Sequence, residues 1–208
     1  MGLPEIFISF QTAAVSAITR AARRVLAVAV KDATVGGAAE AAYKSLAEVP
    51  EDKFSPENYR LLKLAFLAAP TKVWVLRVGE DAEKIYQALE RLHFDWLAAP
   101  GLEDARVMSF IKTLRNGGRG VKAVVANATA PDCEGIVNLC VSGLTLEDGA
   151  MEAKDYAVRV AALLAALPLT RSATYVNLPE VVGCDALAEP DADVDAGKLI
   201  IVPGREGY

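Results

Sequence analysis

His93 is the only histidine of the 208-residue chain, so any relay that needs an imidazole depends on this one residue. In a Ser-His-Asp or Cys-His relay, the imidazole accepts the proton of the nucleophile and cannot be dispensed with. His93 stands beside Phe94 and Trp96, where a predicted helix meets a predicted strand, and no serine occupies a G-x-S-x-G elbow. We therefore expect His93 to be packed or partly exposed, and we predict no catalytic residue.

The three cysteines, Cys133, Cys140 and Cys184, form an odd set without a C-x-x-C pair. A disulfide framework needs an even number of thiols, and a zinc site needs closely spaced Cys and His ligands. With a single histidine in the chain, neither arrangement is indicated. The sequence predicts reduced thiols in a cytoplasmic protein.

Three glycines in the segment NGGRG, Gly117, Gly118 and Gly120, are the candidates for a phosphate-binding loop. A dinucleotide-binding loop follows a strand and opens a helix, whereas these glycines follow a predicted helix and precede a predicted strand. The chain also lacks the G-x-x-x-x-G-K-[ST] pattern of a P-loop. The glycines are therefore interpreted as a helix stop, and no cofactor-binding residue is predicted.

Alternating carboxylates at Asp191, Asp193 and Asp195 resemble the start of a calcium loop. An EF-hand loop needs glycine at its sixth position and glutamate at its twelfth, and Ala196 and Val202 stand there instead. The segment is interpreted as a solvated turn. No metal ligand is predicted anywhere in the chain.

Composition restricts the classes of partner. The chain is 53% hydrophobic and 24% charged, which is typical of a globular protein, and its net charge of -5 disfavours binding to nucleic acid. The longest apolar run, residues 160–169, is too short to span a bilayer and contains Pro168. Arg20, Arg23 and Arg24 interrupt the stretch where a signal peptide would need apolar residues, so neither an export signal nor a membrane anchor is predicted.

Strand patterns alternate with helix patterns along the chain, which predicts an α/β fold with a mostly parallel β-sheet flanked by helices. The predicted strands are residues 24–30, 72–78, 94–98, 121–126, 136–141 and 198–202. Helices are predicted from Ser55 to before Pro70, from Asp81 through Leu92, from residues 103–104 to Arg115, and over residues 153–167. Residues 32–40 are predicted to form a loop.

Both ends of the chain have the pattern of strands that could pair outside the main sheet. Ile6, Ile8 and Phe10 alternate with other residues at period two, and Leu199 and Ile201 lie in a terminal apolar run. Each could be an ordinary edge strand or could add to the sheet of another subunit. We expect an extended N-terminal arm over residues 1–20, a body over 21–202 and a short tail over 203–208.

The segments at residues 1–10 and 12–32, Ala162 to Tyr175 (ALLAALPLTRSATY) and Glu189 to Ile200 (EPDADVDAGKLI) together resemble contractile bacteriophage tail sheath proteins. The resemblance is nearest to the short sheath type of Firmicutes phages and prophage-derived tail particles. It follows the chain in order over nearly all 208 residues.

That resemblance implies a structural, non-enzymatic subunit that polymerises in rings around a tail tube and contracts to drive the tube through a cell envelope. It implies self-association, tail tube and baseplate proteins as partners, assembly in the host cytoplasm and a place in the virion tail. Ile6, Ile8, Phe10, Leu199 and Ile201 become candidate self-assembly residues. Because such sheath proteins continue beyond the DAGKLI segment, we expect this chain to lack their C-terminal part.

Two alternatives remain open from the sequence. A small cytoplasmic α/β enzyme or ligand-binding domain would bind its ligand at the carboxyl ends of the parallel strands. A truncated sheath-related assembly factor would cap or regulate the growth of a sheath.

Overall fold

The structure, a computed structural model, describes residues 25–34, 36–127, 131–168, 171–204 and 207–208. Its strands are β1 Val25–Lys31, β2 Glu40–Tyr43, β3 Lys72–Val78, β4 Trp96–Ala98, β5 Lys122–Val125, β6 Ile136–Cys140, β7 Thr145–Leu146, β8 Gly149–Ala150, β9 Val181–Gly183 and β10 Lys198–Ile200. Its helices are α1 Pro56–Phe66, α2 Ala82–Arg91, α3 Asp104–Asn116, α4 Ala153–Ala166 and α5 Pro190–Asp195, with single 3-10 turns at Leu46–Glu48 and Glu51–Lys53.

Seven strands form the main sheet in the order β10-β6-β5-β4-β1-β3-β2. All neighbours pair in parallel except β2, which runs antiparallel to β3. Parallel neighbours require crossover connections, which α1, α2 and α3 provide between successive strands. A separate three-stranded sheet has the order β8-β7-β9. The predicted α/β class and the mostly parallel sheet are therefore confirmed.

The side chains of strand β1 pack alternately in two hydrophobic cores, one on each face of the sheet. Its residues from Val25 to Val30 are all buried, and side chains alternate between the two faces of a strand. Leu26, Val28 and Val30 belong to the core that includes α1 and α4, whereas Ala27 and Ala29 belong to the core that includes α2 and α3. The sheet is therefore covered by a pair of helices on each face.

Local signals set the helix starts. The Ser55 hydroxyl accepts a hydrogen bond from the Asn58 amide at 3.2 Å, and Pro56 occupies the first helical position of α1. The Asp81 carboxylate accepts from the Glu83 amide at 3.0 Å and caps α2. Both capping residues agree with the sequence-based expectation.

Three segments differ from their predicted structure. The predicted loop at residues 32–40 ends one residue early, because Glu40 opens β2, a strand that was not predicted. The predicted turn around Asp191 is the short helix α5, because Pro190 is set for the first turn and the acidic residues favour a helix amino end. The predicted strand at residues 94–98 is shorter and begins at Trp96.

Candidate assembly edges

The first residues considered for chemistry are His93 and the three cysteines. His93 is exposed in the turn between α2 and β4 and makes no hydrogen bond within the described part of the chain. The three cysteines are free and partly buried. Burial, together with nearby Asp185, raises the pKa of the Cys184 thiol, which disfavours its reactive thiolate form.

The glycines Gly117 and Gly118 end a helix, as predicted. The Gly117 amide donates to the Thr113 carbonyl at 3.1 Å, and the Gly118 amide donates to the Arg115 carbonyl at 2.9 Å. Gly118 has a φ of 86°, a conformation that glycine adopts without strain. Their amides are thus engaged with the last turn of α3 and are unavailable to a phosphate.

The carboxylates of the acidic segment do not converge. Asp193 accepts a hydrogen bond from the Lys198 ammonium at 2.8 Å, while Asp191 and Asp195 are exposed on α5. Over the residues that the structure describes, no group of three or more Asp, Glu, His or Cys side chains is arranged to hold a metal ion.

A buried polar cluster occupies the carboxyl ends of β1 and β3, where a parallel sheet commonly binds ligands. The Asp32 carboxylate accepts from the Ser55 amide at 3.0 Å, the Thr34 amide at 2.8 Å and the Asn58 side-chain amide at 2.8 Å. The Arg77 guanidinium lies 3.4 Å from the Asp32 carboxylate. Burial acts to raise the pKa of Asp32, but these hydrogen bonds outweigh it and lower the pKa to about 2. The cluster fastens the loop after β1 to the start of α1.

Arg77 is held on three sides within that cluster. Its guanidinium donates to the Thr34 carbonyl at 3.2 Å and to the Lys53 carbonyl, and lies 4.3 Å from the centroid of the Phe54 ring. Both terminal nitrogens of the guanidinium are engaged by these contacts, while its buried Nε has no hydrogen-bond partner among the described residues. Sequence reasoning missed the cluster, although an arginine inside the apolar run KVWVLRV was a signal for a buried partner.

The crevice beyond the carboxyl ends of β4 and β5 is also filled. It encloses no volume that a water molecule could occupy. The Lys154 ammonium reaches across it to the Leu102 carbonyl at 2.6 Å and lies 3.7 Å from Asp104. The geometry thus gives no support to the alternative of an enzyme or ligand-binding domain with its site at this end of the sheet.

Strand edges remain as the candidate functional feature. The main sheet ends in β10 on one side and β2 on the other, and neither outer edge pairs with another described strand. An unpaired edge presents a row of N–H and C=O groups to which a further strand can bind. Strand addition from another chain is therefore chemically possible at both edges of the main sheet.

The hydrogen-bonding pattern between β2 and β3 identifies which backbone groups of β2 point away from β3. The Arg77 amide donates to the Ala39 carbonyl at 2.9 Å, and Ala41 and Tyr43 continue the register opposite β3. In an antiparallel pair, alternate residues direct both backbone groups toward the partner. The groups of Glu40 and Ala42 consequently point to the outer edge.

The outer edge of β2 is closed immediately after these residues. The amide of Lys44, which points the same way as that of Ala42, donates to the Glu48 carboxylate at 2.7 Å. A local side chain therefore takes the place that a further strand would occupy. The edge offers a short bonding segment with a defined end.

The candidate self-assembly residues fall in two places. Leu199 lies in β10 opposite Leu139 and is partly buried, and Ile201, just after the strand, is only 6% exposed and packs in the core that includes α4. Both side chains thus serve the body of this chain. Ile6, Ile8 and Phe10 lie outside the described residues.

Curated relatives of this chain come from a phage and from a phage-like element. It is 32% identical over 219 aligned residues to the tail sheath protein of Clostridium phage phiCD119, covering 96% of this chain. The predicted resemblance to contractile tail sheath proteins is confirmed. A second match, 36% identical over 128 residues, is protein XkdK of the phage-like element PBSX of Bacillus subtilis, covering 59% of this chain and 27% of that protein. The sheath-like chain spans 59% of the length of the phiCD119 protein.

Solved sheath structures share its fold. The sheath tail protein of Desulfitobacterium hafniense superimposes with a TM-score of 0.77 at 14% identity, over 98% of this chain and 73% of that one. The sheath tail protein of Listeria innocua gives 0.75 at 17% identity, over 88% and 66%. The contracted helical sheath of the anti-feeding prophage gives 0.66 at 10% identity, over 100% and 66%. No protein-family model matches the chain.

No helix in the described residues is both long and apolar enough to cross a membrane.

Proposed function

We propose that this chain is a structural subunit of a contractile tail sheath, which polymerises around a tail tube and contracts to drive the tube through a cell envelope. The observation that carries the proposal is the 32% identity to a phage tail sheath protein along 96% of this chain. The subunit has no catalytic role, and its place is the virion tail after assembly in the host cytoplasm. Its partners are further copies, a tail tube protein and baseplate proteins.

The linkage between subunits is assigned to the N-terminal arm, residues 1–20. Ile6, Ile8 and Phe10 form the apolar side of a period-two pattern and supply the side chains of a linking strand. The outer edge of β2 offers the backbone groups of Glu40 and Ala42 as one receiving site. The edge strand β10, which contains Leu199, is a second receiving site, and Ile201 anchors that strand to the core.

Contraction in this scheme needs no cofactor. Subunits assembled in a high-energy arrangement release free energy when they rotate and repack, provided that their linking strands stay bound. A gap of a few kcal/mol per subunit is ordinary for two conformations of a protein. Multiplied over many copies, it becomes large enough for mechanical work.

Electron microscopy of the purified full chain tests the proposal. We expect rings, tubes or filaments. A strict monomer at every concentration, with a bound metabolite detected by native mass spectrometry, would overturn it in favour of a ligand-binding domain.

A deletion of residues 1–12 tests the arm. We expect the variant to lose higher assembly and to keep the circular dichroism spectrum of the full chain, because both cores of the described body lie at Val25 and beyond. A matched control replaces Ile6, Ile8 and Phe10 with serine and keeps the length of the arm. Polymers unchanged in both variants would refute the linking role.

A further inference from the structure

A groove of about 310 Å3 opens beside the end of β2, at the last turn of α1. Its apolar lining includes Leu46, Phe66 and Leu67, and the Leu67 side chain is 58% exposed. Lys44 and Lys63 are exposed on its rim, and neither forms an ion pair within the described residues. The groove therefore suits a partner that combines an apolar side chain with carboxylates.

Helix α5 carries that combination on the opposite side of the molecule. Asp191, Val194 and Asp195 are spaced i, i+3 and i+4, so they share one face of the helix. Val194 is 54% exposed, and the described part of the chain provides no ion pair for Asp191 or Asp195. Asp193 points elsewhere, to Lys198.

The two surfaces lie at opposite edges of the main sheet but along the same rim. The end of β2 at Tyr43 lies opposite Val73, near the start of β3, and α5 leads into the start of β10. Six strand spacings separate β2 from β10, a width of about 29 Å. A contact between two different surfaces on opposite sides is heterologous and generates rings or open helical arrays.

We propose that α5 of one copy docks in the groove of the next copy. Val194 packs on the apolar lining beside Leu67, while Asp191 and Asp195 face the lysines of the rim. The contact rests on the proposed self-assembly of the chain and names a pair of surfaces for it that is separate from the arms. Charge complementarity selects a second copy as the occupant, because the groove is basic at its rim and α5 is acidic.

Reversal of charge on either surface of the full chain tests the docking. Sedimentation velocity of K44E/K63E and of D191K/D195K should each show association weakened about tenfold or more, because attraction between exposed charges becomes repulsion. An equimolar mixture of the two variants should recover association, since each supplies a partner for the reversed surface of the other. Association of the unchanged chain should weaken at high salt.

The control is K84E/K112E, which makes the same change of net charge as K44E/K63E with exposed lysines of α2 and α3. It should associate like the unchanged chain. If both reversed variants polymerise as well as the control, the docking is wrong while the sheath role stands. A mixture that stays monomeric, or association that stops at a dimer, also overturns the docking. A full chain that never associates would overturn the sheath role as well.

Discussion

At the scale of single residues, Asp32 is tightly constrained. Its carboxyl group is fully buried and is satisfied by the amides of Ser55, Thr34 and Asn58. The sequence places an acidic residue just after an apolar strand, which by itself reads as a loop. The contact of Asp32 with Arg77 could not be predicted locally, because it follows from the pairing of β1 with β3, in which Val30 lies opposite Arg77. Distant partners of a buried charge depend on strand register, which a local pattern does not contain.

Asp32 should make the fold sensitive to acid. Its pKa lies at about 2 in the folded chain against an ordinary value of 3.8, so ionisation stabilises the folded state by about 2 kcal/mol. Because the folded pKa is the lower one, this contribution is complete above the ordinary value and disappears as the pH falls toward 2. Urea unfolding across that window should show the loss in the unchanged chain.

The variant D32N should lack this part of the pH dependence and be less stable by about 2 kcal/mol or more near neutral pH, since Arg77 loses its buried counter-charge. D52N is the matched control, because the Asp52 side chain is 73% exposed. Equal pH profiles for D32N and the unchanged chain would contradict the role assigned to Asp32.

At the scale of elements, helices were predictable where caps and apolar spacing agreed, as in α1 after Ser55 and α2 after Asp81. Strand β2 was not, because its four residues, EAAY, lack the β-branched residues that mark a strand. It exists because β3 offers it a hydrogen-bonding edge. Helix α5 was mistaken for a turn because its repeated aspartates suggested a solvated loop, while Pro190 and the first-turn charges favour a helix.

The ladder phase of β2 predicts unequal effects of proline at two neighbouring alanines. Proline at Ala41 removes an amide that donates to β3 and should lower the free energy of unfolding by about 1–3 kcal/mol. Proline at Ala42 removes an outward amide and should cost less than about 1 kcal/mol. Urea denaturation of A41P and A42P measures the difference. A larger loss for A42P than for A41P would mean that the inner and outer residues are assigned the wrong way round, and equal losses would contradict the alternation itself.

At the scale of the whole molecule, the order of the strands was beyond the sequence. Alternation of strands and helices predicted a parallel sheet, yet it could not reveal that β4 returns beside β1 while β3 flanks its other side. That order is fixed by long-range packing, with α1 and α4 on one face and α2 and α3 on the other. The roles of the candidate assembly residues were even harder to predict from the sequence, because the side chains of Leu199 and Ile201 pack within the body of this chain.

Shared strands should make the two cores unfold together. Leu62 in α1 and Leu89 in α2 are both fully buried, on opposite faces of the sheet. L62A and L89A should each lower the free energy of unfolding by about 2–5 kcal/mol while keeping one transition, monitored by far-ultraviolet circular dichroism and tryptophan fluorescence. L67A, at a leucine that is 58% exposed, is the control and should change little. Separate transitions for the two probes in either core variant would contradict a common unfolding unit.

The alternation along β2 also limits how any added strand can move. Only every second residue, Glu40 and Ala42, offers bonding groups outward, so a bound strand that shifts and binds again must shift by two residues, about 6.8 Å. A shift of one residue would exchange its two faces and place polar side chains where apolar ones had been. The outer edge of β2 in the main sheet thus allows an added strand to slide only in steps of about 6.8 Å.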